Sequence, residues 1–214
     1  MNSLQEILDE RKASWAEKAP DHVKKVYNEG IEAVVQSGIL TSAKQLHDKA
    51  PDFSLKNALG EERSLSKFLE KGPVVLTWYR GGWCPYCNLT LRRLQEELPN
   101  FKERGATLLA LTPELPDKSL STSEKHSLEF EVLSDLGNQV ARKYGIVFKL
   151  TEILGEMYQN GFDLHGYNGD ESNELPLAAT YVIAPSGEIT YAFLDAEYRN
   201  RAEPSEILSA LDSL

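Results

Sequence analysis

The sequence is short of cysteine: its 214 residues include only two cysteines, Cys84 and Cys87. There is no second Cys-x-x-Cys and no His-x-x-x-His, so a structural zinc site would lack half of its four ligands. A cysteine protease would need a histidine base, and no local signature ties a histidine to Cys84. We expect no metal and no cofactor, and we interpret the four histidines as surface or packing residues (His22, His47, His126 and His165).

Positive charge is also scarce, with 23 Lys and Arg against 33 Asp and Glu and a net charge of −10. Such a chain repels phosphate backbones and anionic lipid, which argues against nucleic-acid and membrane partners. No apolar run approaches the length of a membrane-spanning helix. The first residues, MNSLQEILDERK, do not resemble a secretory signal. We therefore expect a cytoplasmic protein, in which a close cysteine pair is more often catalytic than structural.

The two cysteines occur in the sequence Gly81-Gly82-Trp83-Cys84-Pro85-Tyr86-Cys87, directly after the apolar run 74–79. This pattern predicts a strand that feeds a helix, with Cys84 at the N-cap and Pro85 at the first helical position. Free backbone N–H groups and the helix dipole favour a thiolate there. The glycines permit a tight turn that leaves Cys84 exposed. The pattern predicts a redox site, and the alternative is a pair of buried core cysteines.

The chain has two predicted parts, an N-terminal helical extension at 1–48 and a domain at 49–214. Ser3 and Glu6 form a capping box at the start of the first helix. The second helix carries an apolar stripe that ends at Gly38. We expect the stripe to pack on this chain's own core, and the alternative is a homodimer contact. The stripe contains six residues: Val23, Val26, Tyr27, Ile31, Val34 and Val35.

After Pro51, strands alternate with helices. Strands are predicted at 74–78, 107–111, 180–183 and 189–194, and helices at 87–103, 137–144 and 204–214. The turn at 184–187 predicts an antiparallel hairpin between the last two strands. The pattern βαβ followed by ββα indicates an α/β fold with a mixed central sheet flanked by helices. We assign no regular structure to 148–175 beyond helical character through Met157.

From about residue 48 to 214 the chain resembles the alkyl hydroperoxide reductase and thiol-specific antioxidant family, the peroxiredoxin-like proteins. This resemblance implies a thioredoxin-like fold and reduction of hydroperoxides. It rests on motifs in the family's order: 50–55 (APDFSL), the strand before Cys84, 111–113 (LTP), 130–135 (FEVLSD), 144–146 (YGI) and 180–183 (TYVI). The tetrad 84–87 (CPYC) is similar to that of glutaredoxins.

The chain departs from the family at three positions. Thr77 and Gly81 stand where the family has a proline and a hydroxyl residue before the reactive cysteine, and Ala178 stands where it has an arginine. Arg80 would supply positive charge instead, or is a cation at the end of the strand. Four further residues are candidates to support the site: Gly81 and Pro85, Trp83 as a wall beside the nucleophile, and Tyr86 at the surface.

Three functions remain open from the sequence. In the first, Cys84 attacks a hydroperoxide, and Cys87 condenses with the sulfenic acid to form an intramolecular disulfide. In the second, Cys84 attacks a protein or small-molecule disulfide and Cys87 resolves the mixed disulfide. In the third, the pair is a redox sensor without turnover. Each catalytic version needs a thioredoxin-type or glutathione-type reductant.

Overall fold

A computed structural model describes residues 3–57 and 59–214. Its centre is a five-stranded sheet with the order β5-β4-β3-β8-β9. The strands β3, β4 and β5 run parallel, and β8 and β9 are antiparallel to their neighbours. The five strands are β3 (Val74–Trp78), β4 (Thr107–Thr112), β5 (Glu131–Ser134), β8 (Thr180–Ile183) and β9 (Ile189–Phe193). The mixed sheet and its final hairpin were predicted from the sequence, but β5 was not among the predicted strands.

Two antiparallel strand pairs accompany the main sheet. They are β1 (Ser54–Lys56) with β2 (Glu62–Ser64), and β6 (Val147–Lys149) with β7 (Glu174–Pro176). The helices before the cysteines are α1 (Leu4–Lys18), α2 (Asp21–Gln36), α3 (Ile39–Ser42) and α4 (Leu65–Leu69). The later helices are α5 (Pro85–Glu103), α6 (Pro116–His126), α7 (Gln139–Lys143), α8 (Glu152–Phe162), α9 (Leu164–Asn168) and α10 (Pro204–Asp212). No helix within these described ranges is long and apolar enough to cross a membrane.

The central strand β3 is buried on both faces. Its side chains alternate between two hydrophobic cores, as the period of a strand requires. Leu76 and Trp78 join the core on one face, while Val75 and Tyr79 join the other. The second core also contains Cys84, Cys87 and the apolar face of α5. The strand therefore delivers the chain to the cysteines from the middle of the sheet.

The N-terminal helices pack on the rest of the chain. The capping box of α1 is formed, with Ser3 Oγ accepting from the Glu6 N–H at 3.1 Å and Glu6 Oε2 accepting from the Ser3 N–H at 2.8 Å. Leu4 and Leu8 are buried in the core that holds the cysteines, and α1 packs against α5. The helix α2 packs against α8. The division at 48/49 stays a prediction.

Three local predictions were wrong or incomplete. Val35, assigned to the buried stripe of α2, is 50% exposed. The predicted helix 137–144 is a 3₁₀ turn followed by α7, because Gly137 and Asn138 have φ values of 66° and 56° that interrupt a continuous helix. The unassigned stretch 148–175 contains α8 and α9, which lie between the paired strands β6 and β7.

Candidate active site

The strand β3 ends at Trp78 and α5 begins at Pro85, so a short loop carries the chain to Cys84. Cys84 is the N-cap of α5, with φ −86° and ψ 114°, as predicted. Its N–H donates to the Gly81 carbonyl at 3.0 Å, and its own carbonyl accepts from the Asn88 N–H at 3.1 Å. The Cys84 side chain is therefore held on a hydrogen-bonded strand-to-helix turn.

Both glycines of this loop are required by close approach. A Cβ at Gly81 would lie 2.1 Å from Trp83 Nε1, and a Cβ at Gly82 would lie 2.1 Å from Thr122 Oγ1. The Gly82 N–H also donates to the fully buried carboxyl of Glu114 at 2.8 Å. Glu114 thus holds the loop at Gly82, two residues before Cys84. Burial raises the pKa of the Glu114 carboxyl.

The expectation of an exposed nucleophile was wrong. Cys84 and Cys87 are both free thiols and both fully buried. They lie in the core that α1 shares with α5, and an arginine side chain covers each sulfur. Tyr86 was also expected at the surface, but it is 3% exposed and packs edge-on against Tyr198 with a centroid distance of 5.8 Å.

Arg80 is buried beside Cys84. Its Nη2 donates to Cys84 Sγ at 3.4 Å and its Nη1 donates to the Tyr158 hydroxyl at 3.3 Å. Its guanidinium also lies 4.1 Å from the ring centre of Tyr198. Among the described residues, no carboxylate pairs with it. Of the two interpretations of Arg80, the structure thus favours positive charge at Cys84 over a cation at the strand end.

Arg201 has the corresponding position at the second sulfur. It is 5% exposed, and its Nη2 donates to Cys87 Sγ at 3.3 Å. Its other donors bind the carbonyls of Tyr198 and Asn200. Sequence reasoning missed Arg201, since it is 114 residues from Cys87 in a loop without a motif. It also missed Glu114, Tyr158 and Tyr198, which are likewise distant from the two cysteines in the sequence.

The surroundings separate the two thiols. Burial raises the pKa of Cys84, but a hydrogen bond from Cys87 and the charges of the two arginines outweigh it, so its pKa lies well below the usual value. For Cys87, burial comes first and the hydrogen bond to Cys84 and the negative charge there add to it, so its pKa lies well above the usual value. The arrangement favours one thiolate, on Cys84, with a neutral thiol beside it.

Trp83, in this loop, packs its ring against α8. Its ring stacks on Phe162 with centroids 4.2 Å apart and an interplanar angle of 14°, and it meets Tyr158 edge-on at 5.2 Å. Both partners belong to the stretch that the sequence left unassigned. Beside these rings is a cavity of about 250 Å³, and Arg80, Trp83, Pro85 and Tyr86 are part of its lining. All the predicted site residues therefore lie around Cys84.

The described residues give little support for a metal site or for a histidine base beside the cysteines. They contain no group of three or more His, Cys, Asp or Glu side chains that could hold a metal ion. None of the four histidines is buried, and none is hydrogen-bonded to a sulfur in the described part of the chain. The site thus consists of two thiols, two guanidiniums and a ring-lined cavity.

The chain is similar in sequence to known proteins. Peroxiredoxin Q, chloroplastic, of Populus jackii is 32% identical over 168 residues, which cover 77% of this chain and 66% of that protein, just under two thirds of its length. Thiol-disulfide oxidoreductase ResA of Bacillus thuringiensis subsp. konkukian (strain 97-27) is 26% identical over 131 residues, which cover 61% of this chain and 73% of that protein.

Among solved structures, peroxidoxin BcpB from Mycobacterium tuberculosis superimposes with a TM-score of 0.63 at 20% sequence identity. The superposition covers 79% of this chain and 97% of that one. This likeness shows the fold, which is the thioredoxin-like α/β fold that the sequence predicted. A model of the AhpC/TSA family matches residues 46–192, more than half of the sequence, and the chain belongs to that family.

Proposed function

We propose that this protein is a thiol-dependent peroxidase in which Cys84 attacks the hydroperoxide and Cys87 resolves the product. The observation that carries the proposal is the buried Arg80 guanidinium 3.4 Å from Cys84 Sγ, without a carboxylate partner among the described residues. A buried cation needs an anion nearby, and the Cys84 thiolate supplies it. Membership of the AhpC/TSA family supports a hydroperoxide as the substrate.

In the first step, the Cys84 thiolate attacks the terminal oxygen of ROOH. An S–O bond forms and the O–O bond breaks, which converts Cys84 to a sulfenic acid. The leaving group RO⁻ takes up a proton to give ROH. Arg80 has an Nε–H with no hydrogen-bond partner among the described residues, and this donor is suited to the oxygen that becomes negative. Because Cys84 is fully buried, the Arg80 or Trp83 side chain must move aside for the peroxide to reach it.

In the second step, the Cys87 thiol attacks the sulfenic acid. A disulfide forms and water leaves. Cys87 is on the first turn of α5, three residues after Cys84 and in the same core, so it is the thiol at hand. The high pKa of Cys87 keeps it protonated until the thiolate beside it has been consumed. A thioredoxin-type or glutathione-type thiol would then reduce the disulfide.

The second candidate is direct thiol-disulfide exchange, and specific observations favour it. The Thr77 hydroxyl is buried and bonded to Thr180 Oγ1 at 2.8 Å, so it is engaged in the sheet. Gly81 and Ala178 have no polar side chain. The hydroxyl and the arginine that the family places at these positions are therefore missing, and the similarity to ResA points the same way.

Three variants decide between these functions. We expect Cys84→Ser to lose all turnover. We expect Cys87→Ser to react once with hydrogen peroxide or cumene hydroperoxide and to gain a single oxygen at Cys84, seen by mass spectrometry. The matched control is Ser205→Ala, an exposed change on α10. Assays use both hydroperoxides and a protein disulfide, each with thioredoxin and with glutathione.

Each outcome assigns one function. Turnover with peroxide and the single oxygen gain support the peroxidase. If wild-type protein reacts with peroxide no faster than free cysteine but reduces the protein disulfide, the function is thiol-disulfide exchange and the peroxidase assignment is wrong. A single oxidation without turnover on any substrate would identify a sensor.

A further inference from the structure

The cavity beside Cys84 has an unusual lining. Ten residues form it, seven of them aromatic, with Pro85 and two arginines completing the set. The aromatic residues are Trp15, Tyr27, Trp83, Tyr86, Tyr158, Phe162 and Tyr198. They come from α1, α2, the cysteine loop, α5, α8 and the segment before α10, so distant parts of the chain build one wall of rings. Such a surface favours a flat apolar body.

The charges in this lining are all positive. Arg11 and Arg80 are the charged residues among the ten, in a chain whose net charge is −10. Neither arginine forms an ion pair with a carboxylate of the described residues. The side chain of Arg11 is exposed on α1, and its charge acts on Tyr86. A cavity of this kind attracts an anion.

Three buried donors in the lining have no partner. Arg80 Nε, Trp83 Nε1 and the Tyr86 hydroxyl make no hydrogen bond among the described residues. A buried donor without an acceptor costs free energy, so a ligand oxygen that reached any of these three donors would be favoured. The volume of about 250 Å³ exceeds the roughly 150 Å³ that holds a benzene molecule in an engineered cavity.

We propose that this cavity binds an organic anion, and that the substrate of the peroxidase is a hydroperoxide with an aromatic or similarly flat apolar body and a carboxylate. The rings hold the apolar body, and Arg11 at the rim binds the carboxylate. Arg80 lines the cavity and contacts Cys84 Sγ, so it holds the hydroperoxide oxygens beside the sulfur. The bonds made and broken at Cys84 are those of the proposed function, on which this inference rests. Arg11 is then a specificity-determining residue contributed by α1.

A binding measurement tests the cavity without any turnover. The probes are 4-phenylbutyrate and its neutral analogue 4-phenylbutanol, titrated into reduced protein and followed by tryptophan fluorescence, since Trp15 and Trp83 line the cavity. We expect the carboxylate to bind more tightly than the alcohol. Arg11→Ala should weaken binding of the carboxylate by about fivefold, as expected for a partly exposed charged pair, and leave binding of the alcohol unchanged.

The matched control is Arg92→Ala, an exposed arginine on α5 outside the cavity, which should change neither affinity. Equal binding of the two probes, or an Arg11→Ala variant that binds the carboxylate as wild type does, overturns the proposal. Thermal unfolding of both variants checks that the fold is intact.

Turnover separates this proposal from the proposed function. Cumene hydroperoxide is compared with its para-carboxylated analogue. We expect Arg11→Ala to lower kcat/KM for the carboxylated substrate, divided by kcat/KM for the neutral one, about fivefold. If the probe binds through Arg11 but neither hydroperoxide is consumed, the peroxidase assignment fails and the organic-anion site remains. If both hydroperoxides are consumed equally and the probe does not bind, the cavity proposal fails alone.

Discussion

At the scale of single residues, Arg80 is one of the groups that lower the pKa of Cys84, after the hydrogen bond with Cys87. A lowered thiol pKa means that the thiolate is present above that pKa and is lost as pH falls through it. We expect Arg80→Met to raise the pKa of Cys84 by about one to three pH units, the usual effect of a neighbouring opposite charge. The measurement is the absorbance of the thiolate against pH, together with the alkylation rate.

Arg104→Met is the matched control for this prediction. Arg104 is paired with Asp212 on the surface, with Nε and Oδ1 2.7 Å apart, so the same substitution removes an arginine far from the sulfurs. It should leave the titration unchanged. An Arg80→Met protein whose thiolate titrates as in wild type would show that the helix terminus and Cys87 alone lower the pKa.

At the scale of elements, the loop between β3 and α5 allows no side chain at Gly81. The family places a hydroxyl residue there, and Gly81→Thr would restore it in sequence. Because the new Cβ would lie 2.1 Å from Trp83 Nε1, we expect the indole to be displaced from Phe162 and the fold to lose about 1–3 kcal/mol. Urea unfolding measures the loss.

Gly161→Thr on α8 is the control, since a Cβ at Gly161 meets nothing within 4 Å. It should leave the free energy of unfolding nearly unchanged. A Gly81→Thr protein that is as stable as wild type and reacts faster with peroxide would contradict the steric argument.

At the scale of the whole molecule, local signals were predictable and long-range ones were not. The N-cap role of Cys84 follows from Pro85 next to it. The spacing of four residues made Arg80 a candidate for charge at Cys84 without deciding between that role and a cation at the strand end. Four of the five strands of the main sheet followed from apolar runs of strand length, whereas β5 was not predicted. Burial of Cys84 and the contact of Arg201 depend on segments that are distant in sequence, and no periodicity reports how such segments meet.

The N-terminal helices show the same limit. Their existence and the capping box followed from helical spacing and from Ser3 and Glu6. Their contribution to the site did not, because Arg11 and Trp15 reach the cavity only once α1 has packed on α5.

The two buried arginines have a consequence for the reduction potential of the cysteine pair. In the reduced state the Cys84 thiolate lies against Arg80, whereas a disulfide would leave Arg80 and Arg201 with no negative charge in contact. The reduced state is therefore favoured, and the disulfide becomes a strong oxidant. We expect a potential less negative than the value of about −270 mV for thioredoxin, measured by equilibration in glutathione buffers. Arg201→Met should make it more negative by about 30 mV, whereas a wild-type value below that of thioredoxin would contradict this reasoning. A pair poised in this way would be easily re-reduced by common cellular thiols.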